Sequence, residues 1–170
     1  MPTTSLASTD SRPAGVPGSA LRISAYAAAT WSVVFGVVHV YWLFGGRVGL
    51  PDGLSVTSNV PLLVIDILAI PACAVAAALA LAIVQPWGTR LSAKLVGLAL
   101  WGTTAILLVH PTPSVPDWVG LATGSREKGD FDAMGTFATF LYEPFFLVGG
   151  VLFGLATLGR RAMLRQQRGR

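Results

Sequence analysis

The chain has 170 residues, of which 53% are apolar and only 12% charged, with a formal net charge of +4. Its mean hydropathy is +0.64 and its isoelectric point is near 9.8. An ordinary soluble domain is about one quarter charged, so this composition excludes a disordered chain, a disulfide-stapled secreted domain and a typical soluble enzyme. It points to an integral membrane protein. The basic excess does not signal nucleic-acid binding, because five of the twelve Lys and Arg residues fall in the last eleven positions, where they flank a membrane segment. The single cysteine, Cys73, sits in an apolar run with no partner in the chain.

Residues 1–20 are rich in Pro, Ser, Thr, Gly and Ala and show no apolar period. They cannot bury enough surface to offset their ordering entropy, so a disordered tail is expected, and no convincing cleavage site marks a signal peptide. Four long apolar segments follow, at about 21–45, 61–84, 91–110 and 134–158. Each has about the 20 residues a helix needs to cross the hydrocarbon core, where backbone polar groups must be satisfied within the segment. The expected fold is an all-α, four-helix membrane bundle over 21–160, closed by a basic tail at 161–170. Gly45-Gly46, Pro51-Asp52-Gly53 and Gln85-Pro86-Trp87-Gly88 punctuate the first two connections. The third connection, 111–133, is the longest and carries four of the eight acidic residues. With four spans, both tails and the second connection share one side and hold nine Lys and Arg residues, against three on the other. By the positive-inside rule both termini are expected in the cytoplasm of a multi-pass cell-membrane protein.

Ionisable residues inside spans are the informative ones. His39, Asp66, His110 and Glu143 all fall in the half of the bundle away from the tails, one from each span. Glu143 lies nine residues past Met134, about 13 Å along a helix, where a charged carboxylate costs about 2–3 kcal/mol or more. Pro144 removes a helical hydrogen bond, so a freed Phe140 carbonyl and a kink or water pocket are expected beside it. Asp66 alternatively accepts hydrogen bonds at its helix start, His39 alternatively packs as a satisfied core residue, and His110 reads as a solvated interfacial residue before Pro111. Thr136, Thr139, Glu143, Phe146, Gly150 and Gly154 follow steps of three and four, which turns Glu143 into the bundle or a partner chain. Gly150 and Gly154 form a GxxxG pair that permits a homodimer or partner subunit. Trp31, Phe35, His39 and Trp42 share a face of the first span, either as an aromatic packing stripe or as the wall of a pocket.

A candidate acid–base cluster of Glu143, Asp66 and His39 therefore emerges. Trp31, Phe35, Trp42, Tyr142 and Phe146 are the candidate groups for contact with an apolar small molecule. No CxxC, HExxH, GxSxG or phosphate loop occurs, and no metal or cofactor is expected. Haem held by two histidines is disfavoured, because His110 sits at the water boundary.

The runs Trp31-Ser32-x-x-Phe35-x-x-x-His39-x-Tyr41-Trp42-x-x-Gly45-Gly46 and Tyr142-Glu143-Pro144-x-Phe146-Leu147-x-Gly149-Gly150-x-x-Phe153 resemble the small actinobacterial membrane proteins grouped as domain of unknown function 3995. The resemblance covers about residues 22–160 and implies a four-helix membrane protein with no assigned activity and no assigned catalytic residues. The leading expectation is an accessory or binding membrane protein whose surroundings are the lipid bilayer. The alternatives are a small enzyme doing acid–base chemistry on a lipidic or isoprenoid substrate, of terpene cyclase or isomerase type, and a proton-coupled carrier.

Overall fold

The computed structural model describes residues 17–169. Residues 1–16 of the expected tail, and Arg170, lie outside the described residues. Among the described residues there are six α-helices: α1 (Ser19–Leu43), α2 (Val60–Ala82), α3 (Ala93–Val109), α4 (Val115–Thr123), α5 (Ala133–Phe137) and α6 (Glu143–Arg168). A π-helical turn, Ala138–Tyr142, joins α5 to α6, so 133–168 runs as one long rod. Among the described residues four helical stretches are long and apolar enough to cross a membrane: α1, α2, α3 with α4, and the rod 133–168. Among the described residues there is no strand.

Local chemistry places the boundaries. The Asn59 side chain caps α2 by accepting from the Leu62 amide at 3.2 Å, and Pro61 occupies the first turn, where its missing N–H costs nothing. Pro86–Arg90 tightens into a 3₁₀ turn, which delays α3 to Ala93. The last helix does not stop near 158. Arg, Ala, Met, Leu and Gln are good helix formers, and they carry it through the expected basic tail to Arg168. The long third connection holds α4 rather than bare loop.

Lipid-exposed helices gain little from apolar burial against one another, so small residues that let backbones approach decide the packing. Ala25, Ala28, Ala29 and Ser32 of α1 are buried, as are Cys73, Ala77 and Ala80 of α2, and these two helices form the most extensive pairing. α6 packs on both α1 and α3, while α2 and α3 touch only sparingly. A side chain at Gly149 would strike the Trp31 ring, and one at Gly150 would strike Leu108. The face carrying Gly150 and Gly154 is thus occupied by Leu108 and Thr104 of α3 in the same chain. Outward, residues such as Ile23, Leu68, Leu98 and Ile106 are exposed, a surface suited to lipid.

Candidate functional site

The first of the two motif-bearing stretches does two separate jobs. Its His39 faces inward from α1 and is buried, with Nδ1 2.6 Å from Oδ1 of Asp66 on α2. Gly36 makes the register possible: a Cβ there would lie 3.2 Å from that of Cys73. The two acid–base residues then meet one turn further along α1 and two turns back along α2. Its later residues, Tyr41, Trp42 and Gly46, hold a loop. The Tyr41 hydroxyl accepts from the Arg47 and Val48 amides at 3.2 and 3.3 Å, and Trp42 Nε1 donates to the Val48 carbonyl at 2.9 Å. Gly46 lies against the Tyr41 ring, where any larger residue would collide with it. Tyr142 closes the same clamp by donating its hydroxyl hydrogen to the Gly49 carbonyl.

The expected three-residue cluster is instead two pairs. Glu143 Oε2 is 2.9 Å from Nδ1 of His110, so Glu143 partners the residue expected to be merely solvated, and no hydrogen bond or ion pair among the described residues links it to His39 or Asp66. Aromatic rings stand between the pairs. Phe35 lies edge-on to His39 at 4.5 Å and to Phe146 at 5.2 Å between centroids, and Phe146 stacks on His110 at 3.8 Å. Glu143 is buried within the bundle, as its helical face predicts.

Around Pro144 the outcome differs in detail from the expected freed Phe140 carbonyl. The π turn shifts the register by one residue, and Pro144 has no N–H to meet the carbonyl five residues back, that of Thr139. Trp118 Nε1 on α4 donates to that carbonyl at 2.9 Å. An ion pair of Asp117 with Arg126 steadies the same short helix.

A cleft of about 560 Å³ opens between α2 and α3, with Trp31, Phe35 and His39 of α1 and Phe146 of α6 in its wall. Its rim residues Ile65, Val75 and Ile106 are exposed on the apolar outer surface, so the mouth faces the side of the bundle that lipid would cover. The lining is apolar apart from His39, Thr103 and Cys73. With Nδ1 and Oδ1 joined, His39 Nε2 and Asp66 Oδ2 remain buried without a hydrogen-bond partner among the described residues. Unsatisfied buried polar atoms are rare enough that each calls for a physical reason. Of the residues expected to contact an apolar molecule, Trp31, Phe35 and Phe146 line the cleft, whereas Trp42 and Tyr142 serve the loop clamp. Glu143 is not on its lining. Phe145, absent from the sequence reading, stacks on Trp31 at 4.8 Å between centroids and accepts the Trp31 Nε1 hydrogen bond at 3.1 Å through its carbonyl. Among the described residues no three His, Cys, Asp or Glu side chains gather in a way that would hold a metal ion.

A family model described as "Protein of unknown function (DUF3995)" matches residues 32–153, well over half of the chain. The chain belongs to the DUF3995 family. Both motif-bearing stretches lie almost wholly inside the matched span, and with them His39, Asp66, His110 and Glu143. No curated protein and no solved structure matches the chain.

Proposed function

We propose that this DUF3995 protein is a multi-pass protein of the cell membrane, with both ends in the cytoplasm, that binds an apolar small molecule carrying one polar group. The orientation rests on nine Lys and Arg residues on the side of the tails against three on the other. The binding reading rests above all on His39. A buried Nε2 without a hydrogen-bond partner among the described residues, on a residue that lines a cleft whose other polar groups are Thr103 and Cys73, offers a hydrogen bond to a ligand. A polar head joined to a hydrocarbon body supplies what that atom lacks, and the body fills a volume in the usual range for ligand cavities, about 300–1,000 Å³. Such a molecule enters sideways from the bilayer without crossing water.

The same pair supports a second reading, acid–base chemistry on a lipidic or isoprenoid substrate. Asp66 orients the imidazole through Nδ1, leaving Nε2 to hand a proton to or from a substrate atom in the cleft. The Trp31, Phe35 and Phe146 faces would stabilise developing positive charge.

Trp31 lines the cleft, so its fluorescence reports occupancy. Purified protein in nanodiscs is titrated with 12-bromododecanol and with 1-bromododecane, whose bromine quenches nearby indoles. The alcohol is expected to bind about tenfold more tightly than the alkane, a difference worth one hydrogen bond of about 1.4 kcal/mol. His39→Gln brings the alcohol towards the alkane, Ala72→Trp fills the cleft and abolishes both, and Trp31→Phe removes the signal. Equal binding of alcohol and alkane by the unaltered protein contradicts the reading. Conversion of an isoprenoid alcohol that stops in His39→Gln would favour the enzyme reading.

A further inference from the structure

Charge is segregated along the bundle. Among the described residues every Asp and Glu lies between positions 52 and 143, none of them near the end where α2 meets α3 and α6 terminates. That opposite end carries Arg160, Arg161, Arg165 and Arg168, and none of the four has a carboxylate partner among the described residues. They surround a hollow of about 270 Å³ between the start of α3 and the end of α6, reaching inward to Gly97, Thr157 and Trp101. Arg160 is folded against α3: one guanidinium nitrogen donates to the Ala93 carbonyl at 3.0 Å, and another would lie 3.3 Å from a Cβ at Gly97. The hollow is thus a walled cationic recess between two helices. It differs from a row of arginines splayed into water.

Trp101 gives the recess its second chemistry. The indole nitrogens of Trp31, Trp42 and Trp118 each donate to a backbone carbonyl, whereas those of Trp87 and Trp101 have no protein partner among the described residues, and of these two Trp101 is the one that borders the recess. Trp101 is 43% exposed and stands beside the outward-facing Leu98 of the lipid-suited surface. Eight residues into α3, it is about 12 Å from the helix start, where a tryptophan meets the glycerol and ester region of a leaflet.

We propose that this recess is a binding site for one anionic phospholipid. Its phosphate is held by Arg161 and Arg165 with Arg160 behind them, its ester region faces the Trp101 indole, and its acyl chain lies along α3. The guanidinium groups suit a phosphate through forked, charge-assisted hydrogen bonds. A free phosphate would satisfy the arginines but leave Trp101 and the apolar flank without a role. The site is separate from the α2–α3 cleft and does not depend on its function.

The test uses the full chain in detergent, with native mass spectrometry of lipids retained per protein. Phosphatidylglycerol, phosphatidylcholine and inorganic phosphate are offered separately, and inorganic phosphate is also added in competition with bound phosphatidylglycerol. One phosphatidylglycerol per chain is expected, in preference to phosphatidylcholine. Each arginine near an anionic leaflet is worth about fivefold in affinity, so the double variant Arg161→Gln/Arg165→Gln is expected to lose about tenfold or more. Both side chains are exposed, and an unchanged melting temperature shows that the variant is folded. Trp101→Leu weakens phosphatidylglycerol less than the double arginine variant does. The control variant Arg22→Gln/Arg90→Gln removes the same charge at the same end, outside the recess, and is expected to leave binding unchanged. Equal losses in both double variants would reveal diffuse surface attraction and overturn the site. So would equal retention of phosphatidylcholine, or displacement of the lipid by inorganic phosphate at matching concentration.

Discussion

The two histidine–carboxylate pairs use the same chemistry at two depths. In the first, the His39 and Asp66 side chains are 8% and 2% exposed; in the second, those of His110 and Glu143 are 46% and 11% exposed. Burial changes what the bond is for. Water can compensate His110 if its partner is lost, whereas the buried His39 has no such access, and the deep pair carries two buried atoms that have no partner among the described residues. The shallow pair sits beside Pro144 and the π turn and ties α3 to α6. The deep pair ties α1 to α2 and leaves a free polar atom on a residue of the cleft wall. The difference assigns a packing task to one pair and a binding task to the other.

The largest effect is therefore expected at Asp66. Asp66→Ala strands the His39 imidazole, and breaking a buried pair from one side costs about 3–5 kcal/mol. Folded yield and thermal unfolding in detergent are expected to collapse, with Asp66→Asn recovering part of the loss because it still hydrogen-bonds. A mild effect of Asp66→Ala would remove the contrast between the pairs. His110→Gln is expected to cost about 1 kcal/mol or less, read from the same unfolding curves, because its half-exposed side chain has water as an alternative. The smallest number is the coupling between the pairs. In a double-mutant cycle of His39→Gln with His110→Gln, the coupling energy is expected to stay within about 0.5 kcal/mol, as for sites that share no partner. A larger value would restore a single four-residue cluster.

How much of this was readable from the residues depends on what each inference required. The four apolar runs marked the helices because length and composition suffice, and steps of three and four along the last span turned Glu143 into the bundle, where it is buried. Pairing is different. Which histidine meets which carboxylate depends on the register between α1 and α2 and between α3 and α6, and that register comes from contacts such as Gly36 on Cys73 and Gly150 on Leu108. No single-helix periodicity carries it. The π turn adds a second obstacle. One extra residue rotates the face of α6 relative to α5, which steps of three and four carried from Thr136 and Thr139 across to Glu143 do not anticipate. The motif residues Tyr41, Trp42, Gly46 and Tyr142 drew attention for good reason, but their task is to clamp the 44–50 loop. A tyrosine and a tryptophan beside a glycine pair, close to a helix end, were the available sign of that role. The end of the last helix was hidden by composition, because arginine-rich sequence ends a membrane span without ending a helix.

The most direct test of the deep pair as a ligand-binding group exploits the fact that the chain has only two histidines. With the imidazole nitrogens labelled with nitrogen-15 and His110→Gln used for assignment, the protein is titrated with dodecanol in nanodiscs and followed by NMR. The resonance of His39 Nε2 is expected to move and saturate while both His110 nitrogens stay where they were. A His39 signal that never moves while the alcohol binds, or a shift confined to His110, would contradict the claim that the deep pair serves the cleft.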